Sequence, residues 1–147
     1  MSSTPPKLAA LIEYFGLAPD EDTRAQMLVE YADRFRPVPE RVAHRPFPPE
    51  ALVPHCESGA YVFAEPNPDG TLKFHFAVEN PHGISAKAVA VMIDQSLSGA
   101  PLDQVVAVDP EFLYSIFGRG LSMGKSLGLS SMVERVRAMA RSRIQAA

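Results

Sequence analysis

Residues 60–78 read AYVFAEPNPDGTLKFHFAV, and this stretch decides the fold class. Ala60–Glu65 has strand character. Pro66-Asn67-Pro68-Asp69-Gly70 follows, a turn whose tightest signal is the Asp-Gly pair. Thr71–Val78 is the return strand. Leu72, Phe74, Phe76 and Val78 alternate to one side, with Lys73 and His75 on the other. That spacing predicts an antiparallel hairpin with one buried face.

Upstream, residues 37–54 hold Pro37, Pro39, Pro46, Pro48, Pro49 and Pro54. Proline has no N–H and a fixed φ, so neither a long helix nor a central strand fits there. An extended connection over the surface is expected. Before it, Leu28, Tyr31, Ala32 and Phe35 space out a helix over about 22–36. Asp20, Glu21 and Asp22 crowd its start, where carboxylates suit the exposed amides. Arg34 and Arg36 sit near its end, and Pro37 closes it. Leu8, Leu11, Ile12 and Phe15 mark a shorter helix over 7–15, stopped at Gly16. Residues 1–6 are expected to be flexible.

Downstream, residues 84–98 are apolar nearly all round, from Ala86 to Ile93, and a helix without a polar face is central. Gly99-Ala100-Pro101 ends it. Asp109-Pro110-Glu111 is a helix start, opening a short helix over about 110–117. Gly118-Arg119-Gly120 is a junction. A last helix over about 127–145 carries a core stripe of Leu129, Met132, Val133, Val136 and Met139 or Ala140. Arg135, Arg137, Arg141 and Arg143 are expected mostly on its solvent face. The architecture is therefore α+β: a small antiparallel sheet of about three strands packed against several helices, in one domain over 1–147.

Composition bounds the function. The chain has 147 residues, 46% apolar, which is enough for one self-sufficient core and too apolar for a disordered tail. No apolar run approaches the roughly 20 residues that span a bilayer. The opening MSSTPPK carries no apolar export segment. Net charge is −3 with both signs mixed, which argues against a nucleic-acid binder. The one cysteine cannot form an internal disulfide, so a cytoplasmic setting is expected. Four histidines and that cysteine show no metal-ligand spacing.

Cys56 is the chemical focus. It lies in a loop bounded by Pro54 and Gly59, just before a strand, where functional residues are often carried. A buried free cysteine filling a gap is the bland alternative. Polar neighbours (His55, Glu57, Ser58) and the absence of apolar periodicity favour a functional thiol. His55 is next to it in the chain, and adjacent residues of an extended segment face opposite ways, so it is a poor general base. His75 and His82 stand as distant bases in principle, and as ordinary strand and loop histidines otherwise. A second unusual stretch is Gly118-Arg119-Gly120-Leu121-Ser122-Met123-Gly124-Lys125-Ser126-Leu127-Gly128-Leu129. Its amides and cations suit an anion or a thiolate, while a plain helix–helix turn explains them equally. P-loop spacing is absent.

Laid out in order, these features resemble the SufE family, sulfur-acceptor partners of cysteine desulfurases in iron–sulfur cluster assembly, over about residues 8–140. Val53-Pro54-His55-Cys56-Glu57-Ser58-Gly59-Ala60-Tyr61 resembles a signature Val-x-Gly-Cys-x-Ser-x-Val-Trp. Val53, Cys56 and Ser58 match, His55 replaces the glycine, and Tyr61 stands at the aromatic place. Ser98-Gly99, Val106, Asp109-Pro110 and Phe112 resemble the family's small-Gly…Ile…Asp…Phe run. Leu121-Ser122, Lys125, Gly128-Leu129 and Met132 resemble its Leu-Ser/Thr-x-x-Arg-x-x-Gly-Leu-x-x-Met motif. Lys125 keeps the charge of that arginine without its planar fork. Asn80-Pro81-His82-Gly83 replaces an acidic segment of the family.

The resemblance implies a SufE/NifU-like fold and a role for Cys56. Its thiolate takes sulfane sulfur from the persulfide of a pyridoxal-phosphate-dependent desulfurase and passes it to a cluster scaffold. The acceptor itself then holds no cofactor and no metal. Lys125 or Arg119 would favour the thiolate, and Glu57 would oppose it. His55, Glu57 and Ser58 would support the cysteine or meet the partner. Two alternatives stand beside this: a desulfurase-binding module that relays no sulfur, and a thiol hydrolase using Cys56 with His75 or His82.

Overall fold

The computed structural model describes residues 4–118 and 121–146. The elements are α1 (Pro6–Gly16), α2 (Glu21–Asp33), a 3₁₀ turn at Pro49–Ala51, β1 (Ala60–Pro66), β2 (Leu72–Val78), α3 (Ile84–Leu97), α4 (Leu102–Val106), α5 (Phe112–Phe117) and α6 (Met123–Ala146).

The hairpin forms as its alternation requires. β1 and β2 are antiparallel, with Ala60 opposite Val78 and Pro66 opposite Leu72. Val62, Phe74, Phe76 and Leu72 are buried on the inner face, against the helices. Gly70 takes a φ of 90° in the turn, a value that glycine reaches without strain. The sheet has two strands among the described residues, where about three were expected. Leu52 makes one isolated bridge to Tyr61, and the segment goes no further as a strand. Pro54 lacks an N–H to continue the ladder.

The outer face of the hairpin is covered by the proline-rich residues 37–51, a strap without long elements. Phe47 packs on Tyr61 and Phe63, with ring centroids 5.0 and 5.7 Å apart. Val38 donates its N–H to the Phe76 carbonyl. Arg41 pairs with Glu65, and Arg45 with Glu79. His75, on the same outer face, lies 3.0 Å from Glu65. The Arg41 guanidinium, with help from His75, holds the Glu65 carboxyl down at about 2.

α3 is central. Nine of its residues, from Ala86 to Leu97, are buried. It lies along β2 and takes α1 and α2 on its other sides, while α6 crosses β1. Phe15, Met92, Ile116 and Met132 share this core and are fully buried. Each such side chain contributes about 1.5–3 kcal/mol relative to exposure. α2 starts at its predicted cap: the Asp20 carboxylate accepts the Thr23 N–H at 2.7 Å. It ends at Asp33, three residues early, because Arg36 precedes a proline and is pushed out of helical geometry.

Pro5 is buried and its carbonyl accepts the Ala9 N–H, so α1 begins at Pro6; residues 1–3 lie outside the described part. Two further expectations are corrected. Arg135 and Arg137 are not a solvent face. Arg135 donates to the Glu50 carbonyl, and Arg137 to the Val106 carbonyl at 2.8 Å, tying α6 to the strap and to α4. α6 also begins at Met123, four residues before the expected start.

Candidate functional site

The cysteine sits in a loop with a fixed neck. Val53 donates its N–H to the Ala60 carbonyl at 2.8 Å, which closes residues 54–59 into a short excursion. Two left-handed residues turn the chain inside it: His55 at φ 64° and Gly59 at φ 64°. The Gly59 N–H donates to the Cys56 carbonyl at 3.2 Å. The glycine of the family signature that His55 replaces is thus a backbone requirement, and histidine is among the residues that tolerate it better than most.

Two helix starts flank the loop. The chain leaves β2 at Val78, and the amides of Glu79 and Asn80 donate to the carbonyls of Gly59 and Ser58. Asn80 then folds back, its Oδ1 accepting the His82 N–H at 2.9 Å, and α3 starts from Gly83. From the other side comes the first turn of α6. There Ser122 Oγ accepts the Lys125 N–H at 3.2 Å, and Ser126 meets the Tyr114 hydroxyl at 2.8 Å.

Between loop and helix starts lies an open cleft of about 470 Å³. His55, Cys56, Glu57, Ser58, His82 and Lys125 line it, together with the first residues of α3 and α6. Neither helix has an acidic side chain in its first turn. Their N-terminal amides therefore add positive character unopposed within either turn. Cys56 is half-buried and packs against the edge of the core. A half-buried thiol facing an open, cation-bearing cleft can meet an incoming group while staying shielded from bulk solvent.

The expected site residues Cys56, His55, Glu57, Ser58 and Lys125 come together here. Arg119 lies outside the described residues. His82 lines the cleft, but its ring makes no hydrogen bond to Cys56 among the described residues. His75 is on the outer face of the hairpin, bound to Glu65, and does not line the cleft. No group of three or more His, Cys, Asp or Glu side chains that could hold a metal exists among the described residues.

Two residues of the site escaped the sequence reading as site residues. A Cβ on Gly128 would stand 2.9 Å from the His55 carbonyl oxygen, and one on Gly83 2.9 Å from Ser58 Oγ. The signal for Gly128 was present: a glycine inside a helical pattern usually has a packing reason.

A family model described as SufE, Fe-S metabolism associated domain, matches residues 9–140, and so takes in both the cysteine loop and the first turns of α6. The chain belongs to the SufE family. It is similar to a hypothetical protein from Thermus thermophilus, known from a solution structure, with 26% sequence identity and a TM-score of 0.78. That match covers 97% of this chain and 99% of the other. SufE membership associates the chain with iron–sulfur metabolism. No helix among the described residues of this SufE-family chain is long and apolar enough to cross a membrane.

Proposed function

We propose that this protein is a cytoplasmic sulfur acceptor that takes sulfane sulfur onto Cys56 from a cysteine desulfurase and hands it to an iron–sulfur scaffold. One observation carries the reading: in a SufE-family chain with a single cysteine, that thiol stands half-buried at an open cleft between two helix starts, a cleft that Lys125 also lines.

The step is a thiol exchange. The Cys56 thiolate attacks the outer sulfur of the donor's persulfide. The donor's S–S bond breaks as the Cys56 S–S bond forms, and the donor leaves as a thiolate. The proton of the transferred sulfur travels with it or exchanges with water. No net oxidation occurs, so no co-reactant is needed. Pyridoxal phosphate belongs to the donor. The chain's own part is to present the thiol, favour its anion through Lys125 and the helix amides, and shield the product against the core edge.

Incubation with a desulfurase and cysteine, followed by intact mass, tests this. The parent should gain about 32 Da, reversed by reductant, as one added sulfur requires. Cys56→Ala should fold as the parent does, gain nothing and no longer stimulate the desulfurase. Stimulation by Cys56→Ala at the parental level would reject the sulfur-acceptor reading; binding of the parent without any mass gain would leave a docking module in its place.

A further inference from the structure

The cysteine loop stands on unequal legs. Its back leg, Ser58–Gly59, is tied by the Asn80 and Glu79 amides at 3.0 and 3.1 Å. Its front leg, residues 54–57, lacks such ties. Pro54 has no N–H, and among the described residues the amides of His55, Cys56 and Glu57 find no backbone acceptor. The Cys56 carbonyl is bonded only within the loop, to Gly59.

Shape takes the place of those bonds. Gly128 is buried in α6, and the loop backbone lies directly on it. A Cβ there would meet the His55 carbonyl oxygen at 2.9 Å and Cys56 Cα at 3.1 Å. Those are backbone atoms, which cannot rotate aside as a side chain does. Gly83 forms the facing wall, where a Cβ would meet Ser58 Oγ at 2.9 Å, Ser58 Cβ at 3.0 Å and Val78 Cγ1 at 3.0 Å. After proline, glycine is the poorest helix former, so its presence well inside α6 works against that helix. The missing side chain is what lets the helix and the cysteine backbone touch.

We propose that Gly128 is a positioning residue for Cys56: it is the seat on which the front leg rests, and Gly83 is the opposing wall. A methyl group on that seat lifts the leg, carrying the thiol out of its half-buried place while leaving α6 intact. The bearing of this on sulfur transfer rests on the sulfur-acceptor reading. The seat itself does not, and iodoacetamide, which needs no desulfurase, reads it alone.

The test is the alkylation rate of Cys56 in the native full chain at fixed pH, measured alongside thermal unfolding. Gly128→Ala should alkylate at least about fivefold faster with unfolding still cooperative, because reactivity follows exposure of the thiol. Ser131→Ala, in the same helix but not among the residues that line the cleft, should keep the parental rate. A Gly128→Ala rate within about twofold of the parent's overturns the seat, since the thiol would not have moved. Should Gly128→Ala not fold, Gly83→Ala reads the other wall. Its rate should rise, and fall part of the way back when Ser58→Gly removes two of the three obstructing atoms; an unchanged rate in Gly83→Ala overturns the proposal. Altered alkylation with no sulfur adduct on the parent would keep the seat and discard the transfer reading.

Discussion

His55 holds a backbone conformation that most side chains avoid. At φ 64° its Cβ crowds the following carbonyl, at a cost of about 1–2 kcal/mol for an ordinary L-residue. Histidine tolerates this region better than β-branched residues do. His55→Val should therefore lower unfolding free energy by about 1–2 kcal/mol in urea, with the m-value unchanged. His55→Gly should stay within about 1 kcal/mol of the parent, because the relieved strain is offset by the looser unfolded chain. A valine variant as stable as the parent would contradict the left-handed turn. At this scale the sequence was informative in part. The lone thiol and its polar neighbours were visible, and so was the odd residue before it. The close approach to Gly128 was not, because a contact between residues so far apart in the chain leaves only a glycine in a helix as its trace.

Elements were legible where their pattern was long enough to repeat. The hairpin showed its alternation, and α3 showed an apolar run that only a central helix carries. α4 escaped because five residues, Leu102–Val106, complete barely more than one helical turn. The start of α6 was set too late because Gly124 reads as a helix breaker, whereas it is helical. The arginines of α6 were misjudged for another reason: charge predicts exposure, yet carbonyls left over by short elements can claim a guanidinium. Arg137 serves the Val106 carbonyl at the last residue of α4. Arg137→Ala should cost about 1–3 kcal/mol in chemical denaturation, since a charged donor leaves a half-buried acceptor without it. Glu134→Ala, which removes only an exposed partner of Arg137, should cost less than about 0.5 kcal/mol. Equal losses in the two variants would refute the Val106 tie.

At the scale of the whole molecule, helices, hairpin and strap form three layers, and the outermost is fastened by side chains. Arg41 on the strap and His75 on β2 meet at Glu65, whose carboxyl is held from its ordinary 4.5 down to about 2, by Arg41 first and His75 second. A carboxylate favoured by folding stabilises the protein above its unfolded value, and that contribution is lost as pH falls through the folded one. The stability difference between the parent and Glu65→Gln should thus be constant near neutrality. It should shrink from about pH 4.5 downward and reach its floor only below about pH 2, as followed by thermal unfolding across that range. A difference independent of pH would mean that the carboxylate does not fasten the strap. Proline content had marked this segment as irregular; which face it would cover depended on Phe47 finding Tyr61 and Phe63, a choice made in three dimensions.

The Val53–Ala60 closure also sets a tether length. Were the Ser58 and Gly59 ties released, residues 54–59 with each arm extended would give a tip height of roughly 12 Å above the closure, side chain included. On the sulfur-acceptor reading, a donor atom recessed further than that behind its own surface would have to come outward, and the geometry of handover would be shared between the two proteins.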